Sequence, residues 1–407
     1  IRRQRQMCIR DSINTTMDTY LTDGTLKQAV ADGYVLVERT TESGVRLGIV
    51  GLIDLDDYDF DPKKKTLIRA TEGTVISRIP PRVKIRENAA IELPHVMLLV
   101  DDPIDRQKID GCQGATQEDA VNIAAVKHGI IEYVYAIRDT LRKLYDTELM
   151  QGGGHIRGYA VEGEAAKQVT EAFAAKQNSC GGFLFAVGDG NHSLATAKTC
   201  WENIKKSEKF TEEQLKNHPE RHALVEICNL HSEALEFKPI HRLLTNIDVK
   251  DMLSFFEAEI TKQGLESTEG DEIVFEYVES GSCDSAKPAN GNEVVSENND
   301  GRCTAPIKNS GINITNRGDR LPVEILQGIL DKYLETHDNV EIDYIHGDEA
   351  LHGLVKETKG CGIFLQSIDK STLFPAINAG GVLPRKTFSI GEANEKRYYM
   401  ECHKISM

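Results

Sequence analysis

The chain has 407 residues, enough for two or three domains that each bury a core. Hydrophobic residues make up 40% and charged residues 28% of the sequence, which is ordinary for a globular protein in water. The 48 basic and 64 acidic residues give a net charge of −16. This charge argues against non-specific binding to the phosphate backbone of nucleic acids, and makes a nucleic-acid partner an unfavoured interpretation.

The nine cysteines are scattered singly and form no C-x-x-C pair, so neither a structural zinc site nor a thioredoxin-like motif is indicated. An odd, unpatterned set of cysteines is typical of a reducing compartment, and we expect a cytoplasmic protein without a membrane association. Residues 1–12, IRRQRQMCIRDS, are basic and share no periodicity with the neighbouring stretch of chain. We expect a non-native tail in place of a native N-terminal segment, with a genuine basic tail as the alternative.

The first half of the chain alternates between β-prone and helix-prone stretches. Two β-rich runs around Glu42, Ser43 and Gly44 predict a hairpin, and Pro80-Pro81 is expected to interrupt any regular element. IELPHVMLLVDD, residues 91–102, predicts a buried strand that ends at two carboxylates. Helices are predicted for the stretches rich in Ala, Glu, Lys and Leu, at residues 115–147 and 162–177.

The second half continues the alternation, which predicts a mixed α/β fold. Strand, turn and helix are predicted for residues 183–198, a strand for 222–232, helices for 249–262 and 321–334, and a β-prone run for 272–280. GIFLQSI and TLFPAINAGGVLPRKTF predict short closing strands and a Gly-Gly turn. The expected organisation is a main α/β domain (13–279), a polar hairpin or mobile insertion (280–320) and a C-terminal α/β region packed on the main domain (321–407).

The turn in FLFAVGDGNHSLATAK carries the densest set of polar residues between a predicted strand and helix. Gly188 and Gly190 permit unusual backbone angles and a close approach by a ligand. Ser193, Asp189 or Asn191 could cap the helix, whose first N–H groups also attract anions. His192 is a candidate donor, and Asp189 a candidate metal ligand or general base. The residues themselves leave open a capped turn and a phosphate cradle.

Other candidates lie at the ends of predicted strands. Glu72 in RATEGT is a candidate base or metal ligand, or else a solvated charge. Three arginines near it could hold phosphate oxygens: Arg69, Arg78 and Arg82. Asp101 and Asp102 could bind Mg²⁺ or merely open a loop. Phosphate-binding or surface roles are also open for Arg242, Arg385 and Lys386.

The order of these segments resembles a family of bacterial and archaeal proteins, the "domain of unknown function 1015" family. The resemblance rests on RLGIVGLIDLDDY, IRATEGTVISRIPPR, IELPHVMLLVDD, VGDGNHSLATAK, ALVEICNLHSEALEFKPIHRLL, DYIHG and LPRKTFSIGEANEKRYY, and runs from about residue 34 to the C-terminus. This sequence contains no Walker A motif, no G-x-G-x-x-G that opens a helix and no G-x-S-x-G motif. P-loop, Rossmann and α/β-hydrolase sites are therefore not favoured.

Members of that family often carry D-G-H-H-R at the turn, which is similar to motifs of the ParB/sulfiredoxin-like superfamily. The resemblance implies a ParB/sulfiredoxin-like core in which Asp189, Gly190 and His192 occupy the D-G-x-H positions. Asn191 stands in place of the first His and Ser193 in place of the Arg. Glu72 falls within the family's His-Glu-x-Thr pattern, where this chain keeps the Thr but replaces the His by Thr71.

The resemblance implies an enzyme that handles a phosphorylated small molecule, most plausibly by phosphoryl transfer involving serine or phosphoserine. The catalytic residues would be Glu72, Asp189 and His192, with Mg²⁺ and a nucleotide (ATP, ADP or CTP) as cofactors. An alternative from another class is a non-catalytic, nucleotide-sensing regulator of the ParB type. A third is an interaction protein whose polar turns are only turns. The sequence leaves open the substrate, the direction of the reaction and the oligomeric state.

Overall fold

The computed structural model describes residues 2–93, 96–104, 129–278, 306–391, 395 and 399–406, and the side chains of these residues from 11 onward. The chain divides into two compact units. Unit 1 comprises Ile1–Glu236, Lys370–Leu383 and Ile390–Met407, and unit 2 comprises Phe237–Asp369 and Pro384–Ser389. Both units combine helices with β-sheet, so the predicted mixed α/β fold is confirmed.

Unit 1 is built on a nine-stranded mixed sheet and a separate two-stranded ribbon. The strands are β1 (Gly33–Thr41), β2 (Gly44–Asp54), β3 (Tyr58–Asp59), β4 (Ile68–Ala70), β5 (Ile91–Glu92), β6 (Met97–Val100), β7 (Arg142–Glu148), β8 (His155–Glu162), β9 (Phe185–Asp189) and β10 (His222–Asn229), with β17 (His403–Lys404) near the C-terminus. The sheet order is β3-β4-β9-β6-β10-β2-β1-β8-β7, and β5 pairs with β17.

The helices of unit 1 connect these strands. They are α1 (Arg2–Thr22), α2 (Ile79–Arg86), α3 (Ile130–Ala136), α4 (Gly163–Ser179), α5 (Asn191–Lys206) and α6 (Glu212–Lys216), and later α10 (Leu373–Gly380), with short 3₁₀ turns at Leu55–Asp57, Ile76–Arg78, Arg138–Thr140, Pro219–Arg221 and Lys370–Thr372. A continuous apolar cluster that includes Leu36, Val187 and Trp201 joins the sheet to α3, α4 and α5.

Unit 2 has a second, antiparallel sheet. Its elements are β11 (Phe237–Thr245), α7 (Val249–Lys262), β12 (Glu266–Val278), β13 (Ile307–Thr315), α8 (Pro322–Thr336), β14 (Glu341–His346), α9 (Asp348–Thr358) and β15 (Cys361–Leu365), while β16 (Phe388–Ile390) pairs with β11. The strand order is β13-β12-β15-β11-β14. No helix in the described part of the chain combines the length and apolar composition of a membrane span.

Most predicted elements are present. The β1–β2 hairpin pairs Val35 with Val50 and Thr41 with Gly44, and α7 and α8 lie where apolar residues recur at helical spacing. The predicted polar insertion falls partly on residues outside the described ranges, and its last part contains β13.

Three predictions of local structure are wrong. Of the predicted helix over 115–147, residues 115–128 lie outside the described ranges and Ile130–Ala136 is helical, but its end is wrong, because Arg142–Glu148 is a strand whose side chains are largely exposed. Pro80 and Pro81 do not interrupt a regular element, because they occupy the first turn of α2, where a missing N–H breaks no helical bond. Leu373–Gly380 is a helix and not a closing strand.

Candidate functional site

Three neighbouring parallel strands of unit 1 end at the same edge of the sheet. β3 pairs in parallel with β4, and β4 with β9. The segment that begins at Thr71 therefore leaves the sheet beside the turn that comes after Asp189. Ligands of α/β proteins commonly bind outside the carboxyl ends of parallel strands, so this edge of the sheet is the candidate position for a ligand-binding site.

The turn after β9 leads into α5 through a left-handed glycine. Gly190 has a φ of 90° and is the N-cap of α5, and the Asp189 carboxylate Oδ1 accepts its N–H at 2.7 Å. Among the described residues, none bonds the first turn of α5 as a side-chain cap. The first backbone bond of the helix joins Leu194 N–H to the Gly190 carbonyl, so the preceding N–H groups lie outside the helical ladder.

This geometry bears on one of the two alternatives that the sequence left open, the capped turn. The predicted capping of α5 by Ser193, Asp189 or Asn191 is wrong, since Asp189 bonds the N–H of the N-cap residue itself rather than that of a helical residue. An uncapped helix N-terminus carries about half a positive charge, and the first turn here contains no acidic residue to balance it. The turn therefore favours an anion.

A substitution at Gly190 tests how much the turn depends on its backbone angle. Gly190→Ala is expected to lower the free energy of unfolding by about 1–2 kcal/mol, because a side chain disfavours the left-handed conformation. Chemical denaturation measures the change. Gly353→Ala, at an open position inside α9, is the matched control and should be neutral or slightly stabilising. Equal destabilisation by the two substitutions would contradict the assignment.

The loop after β4 is bonded directly to this turn. Thr71 Oγ1 donates to the Val187 carbonyl at 2.7 Å and accepts from Asn191 Nδ2 at 3.4 Å. On its other side, the Leu383 N–H donates to the Thr71 carbonyl at 2.7 Å, and Glu72 forms a parallel bridge with Leu383. Half-buried Glu72 therefore lies on a loop that is bonded to Asn191 of α5 through Thr71 and to the segment at Leu383.

His192 provides a second link between the loop and the turn. The Val75 N–H donates to His192 Nε2 at 3.3 Å, so Nε2 acts as an acceptor. A neutral imidazole that accepts at Nε2 carries its proton on Nδ1. The structure thus brings Glu72, Asn191 and His192 onto two segments that are tied together by two side-chain bonds.

Two buried polar atoms of these segments have no hydrogen-bond partner within the described part of the chain. They are Thr74 Oγ1 and Asn191 Oδ1. Asn191 is only 9% exposed, so its carbonyl oxygen gains little from solvent. A buried acceptor without a partner destabilises a protein by about 1–3 kcal/mol, so such atoms are expected where a ligand supplies the missing bond.

The remaining predicted residues of unit 1 have different surroundings. Arg69 is buried on β4, where Nη1 donates to Asn378 Oδ1 at 2.9 Å. Arg78 and Arg82 lie exposed on the segment after the Glu72 loop, and Ser193 is half-buried in the first turn of α5. Gly188 has a packing role, because a Cβ there would lie 2.9 Å from Leu99 and from Ile390.

The carboxylates of Asp101 and Asp102 are bonded to other residues of this chain. Asp102 is fully buried, where Oδ1 pairs with Lys176 Nζ at 3.0 Å and Oδ2 accepts the Ile130 N–H at the start of α3. Asp101 Oδ1 lies 2.7 Å from His231 Nε2. Both aspartates are thus poor fits to Mg²⁺, and in the described ranges no three His, Cys, Asp or Glu side chains form a metal-binding group.

The other three predicted phosphate ligands belong to unit 2. Arg242 is completely buried on β11, where Nε donates to Gln327 Oε1 at 3.2 Å and the guanidinium lies over the Tyr344 ring. Arg385 and Lys386 are exposed. The enclosure of Arg242 indicates a role inside the unit.

Sequence reasoning did not select the basic loop after β3. Lys63, Lys64 and Lys65 line a cavity of about 390 Å³ together with Arg69 and residues 377–382. A second cavity of about 540 Å³ is lined by Asp101, Lys176 and Phe183, among others. The only sequence signal for the first cavity is the Lys-Lys-Lys run itself, which is also typical of a solvated loop.

The comparisons with known proteins identify the family. The sequence model of the family described as "Protein of unknown function (DUF1015)" matches residues 6–297, more than half of the chain, so the chain belongs to this family. The predicted family resemblance is thereby confirmed. No curated protein matches the chain in sequence.

Several solved structures align with most of this chain at low similarity. A free serine kinase in complex with AMP is 11% identical, with a TM-score of 0.38 over 90% of this chain and 91% of that chain. A conserved hypothetical protein from Pyrococcus furiosus is 11% identical, with a TM-score of 0.37 over 84% and 91%. SbnI with a C-terminal truncation, from Staphylococcus aureus, is 8% identical, with a TM-score of 0.35 over 84% and 83%. Identities and scores this low do not bear on the activity of the present chain.

Proposed function

We propose that this DUF1015 protein is an enzyme that transfers a phosphoryl group to or from a small hydroxyl-bearing metabolite, with a nucleotide as the second substrate. The observation that carries the proposal is the N-terminus of α5, which no described side chain caps and which is hydrogen-bonded to the loop that contains Glu72. Backbone N–H groups at a helix start bind phosphate oxygens, and an adjacent carboxylate can take a proton from a hydroxyl.

Different groups at the site would bind the phosphoryl group and the hydroxyl-bearing substrate. The N–H groups at Asn191, His192 and Ser193 would hold the transferred phosphoryl group. The buried Asn191 Oδ1 and Thr74 Oγ1 would bond the hydroxyl-bearing substrate, because an acceptor and a hydroxyl are what such a substrate can satisfy.

In the forward direction the substrate oxygen attacks the terminal phosphorus of the nucleotide while Glu72 accepts the hydroxyl proton. The bond from that phosphorus to the bridging oxygen breaks, and the electron pair leaves with the nucleotide, which is shortened by one phosphate. His192, as the Nδ1–H tautomer, would stabilise the charge that develops on the phosphoryl oxygens.

The resemblance of two motifs supports a narrower proposal for the substrate. The D-G-N-H turn and the T-E-G-T segment resemble motifs of the ParB/sulfiredoxin-like superfamily, to which free serine kinases belong. We therefore propose a core of that type and serine or phosphoserine as the metabolite. Mg²⁺ would enter bound to the nucleotide phosphates, because Asp101 and Asp102 are engaged elsewhere.

Calorimetric titration with ATP, ADP, CTP and phosphoserine, each with and without Mg²⁺, tests the proposal. We expect at least one nucleotide to bind, and His192→Ala to weaken that binding by about tenfold to a hundredfold, the effect of losing a hydrogen bond to a charged group. His155→Ala is the control, since His155 pairs with Asp146 on β7 and β8, away from the turn in the sheet order.

Each outcome has a definite meaning. Binding followed by transfer of phosphate, seen by phosphorus NMR, supports the enzyme. Binding of a nucleotide without any turnover contradicts it and favours the non-catalytic nucleotide sensor. Failure of every compound to bind contradicts both functions.

A further inference from the structure

A cavity of about 390 Å³ in unit 1 has a lining unlike the rest of this acidic chain. It is enclosed by the loop after β3, by Arg69 and Ala70 of β4, and by the end of α10 with the residues just beyond it. Its volume lies within the range of about 300–1,000 Å³ that is usual for small-molecule sites. Phe60, Ile377 and Val382 give one part of the wall an apolar surface.

The charges of this lining are unbalanced. The lining residues include four cations, Lys63, Lys64, Lys65 and Arg69, and two carboxylates, Asp59 and Asp61. Asp59 is already paired with Lys64, at 2.6 Å, and Asp61 Oδ1 accepts the Lys63 backbone N–H. Neither Lys63 nor Lys65 has a carboxylate partner in the part of the chain that the structure describes. The cavity thus holds an excess of two positive charges in a protein whose net charge is −16.

Because Arg69 is buried, the excess of positive charge is energetically unfavourable unless an anion is bound. The residue is only 8% exposed, and burial lowers the pKa of its guanidinium. Its bonds within the described ranges are to neutral groups: the Thr66 carbonyl, Asn378 Oδ1 and the face of Phe183. A buried guanidinium is normally compensated by a carboxylate or by a bound anion.

The end of α10 offers a simpler explanation for the cations, but it is too weak. Helix C-termini attract cations because they carry about half a negative charge. That half charge is smaller than the excess of two, and α10 has only eight residues. A compensating anion with about two negative charges matches the lining better.

We propose that this cavity is a binding site for a phosphomonoester dianion, with the organic part of the ligand on Phe60, Ile377 and Val382. The inference goes beyond the proposed function, because binding here does not require catalysis at the α5 turn. The shared chemistry is a phosphoryl group with about two negative charges at neutral pH. A nucleoside monophosphate, a non-nucleotide phosphomonoester and free phosphate all supply it.

Lysine footprinting of the full chain tests the proposal and resolves the site directly. The protein is acetylated with an amine-reactive ester in the presence of AMP, phosphoserine or inorganic phosphate, and each lysine is followed by mass spectrometry. At ten times the dissociation constant, ligand should slow the labelling of Lys63 and Lys65 by about tenfold. Lys206 and Lys209, which are also exposed, are the matched controls and should keep their rates.

Three variants show where the anion lies. Arg69→Gln should remove the protection, and if that variant does not fold, the exposed pair Lys63→Ala and Lys65→Ala should weaken the binding of the same ligand measured by calorimetry. His192→Ala should leave the protection intact, because His192 does not line the cavity. Protection by AMP alone, by phosphoserine alone, or equally by inorganic phosphate identifies which source of the phosphoryl group binds.

The proposal is overturned if none of the three compounds protects Lys63 and Lys65 more than Lys206 and Lys209. It is also overturned if His192→Ala removes the protection while Arg69→Gln retains it, since the anion would then bind at the α5 turn. In that second case the proposed function would stand, so the two proposals can fail separately.

Discussion

Replacement of Glu72 by Gln is expected to lower the rate of phosphoryl transfer by about 10²–10⁴-fold while leaving nucleotide binding nearly unchanged. Gln has almost the same shape as Glu but cannot accept a proton from the substrate hydroxyl. The backbone at this position is fixed by the bridge to Leu383 and by the Leu383 N–H bond to Thr71, so the side chain should stay in place. Phosphorus NMR of product formation from serine and a nucleotide measures the rate.

The matched control for this prediction is Glu87→Gln. Glu87 is exposed at the C-cap of α2, the helix that follows the Glu72 loop, and should be replaceable without effect on turnover. A Glu72→Gln protein with wild-type turnover would remove Glu72 from the mechanism. A variant that loses nucleotide binding together with turnover would assign Glu72 to binding instead of proton transfer.

The strand, turn and helix at the candidate site could be predicted from the sequence because their signals are local. The apolar run Phe183–Val187 ends at a glycine-containing turn, and the residues after it favour a helix. The missing hydrogen-bond partners of particular polar atoms could not be predicted in this way. Within the described part of the chain Asn191 Oδ1 has no hydrogen-bond partner, while Nδ2 of the same amide donates to Thr71, which is more than a hundred residues away in the sequence.

The basic cavity was missed for a similar reason. In the sequence, the run Lys63-Lys64-Lys65 is typical of a solvated loop. These lysines line a cavity only together with Arg69 and with Asn378 of α10, which lies far along the chain. The helix that carries Asn378 lies in a stretch predicted as short strands and a Gly-Gly turn. The chain also leaves unit 1 after Glu236 and returns at Lys370, an arrangement that no local pattern reveals.

Arg86→Met is expected to lower the free energy of unfolding by about 3–5 kcal/mol, the largest effect on stability that we predict. Arg86 ends α2, the helix that comes after the Glu72 loop and packs against α5. Its guanidinium pairs with Glu92 at 2.6 Å and with Glu220 at 2.5 Å, and the side chains of all three residues are no more than 11% exposed. The substitution leaves two carboxylates buried without their shared cation, and chemical denaturation measures the loss.

Arg221→Met is the control for the effect of burial. Arg221 pairs with Asp54 at 2.6 Å, but the two side chains are 28% and 26% exposed, so water screens the pair. Its removal should lower the free energy of unfolding by about 1 kcal/mol or less. Similar losses for the two variants would contradict the prediction that burial makes the Arg86 cluster important.

The dependence on pH provides an independent check of the same cluster. Burial by itself would raise the pKa of Glu92, but hydrogen bonding to His403, the charge of Arg86 and the Leu224 N–H hold it below 4.5, its ordinary value. Wild-type stability from Glu92 is therefore present above about pH 4.5 and is lost as the pH falls through the lowered folded-state pKa.

Without Arg86 the effect of burial weighs more heavily at both carboxylates. Burial already raises the pKa of Glu220 despite Arg86, and the same is expected for Glu92 once the guanidinium is absent. Protonation of the two groups then stabilises the folded variant as the pH falls from neutral toward about 4.5. The difference in unfolding free energy between wild type and Arg86→Met should thus shrink over this range, and a constant difference would show that the loss comes from packing and not from charge.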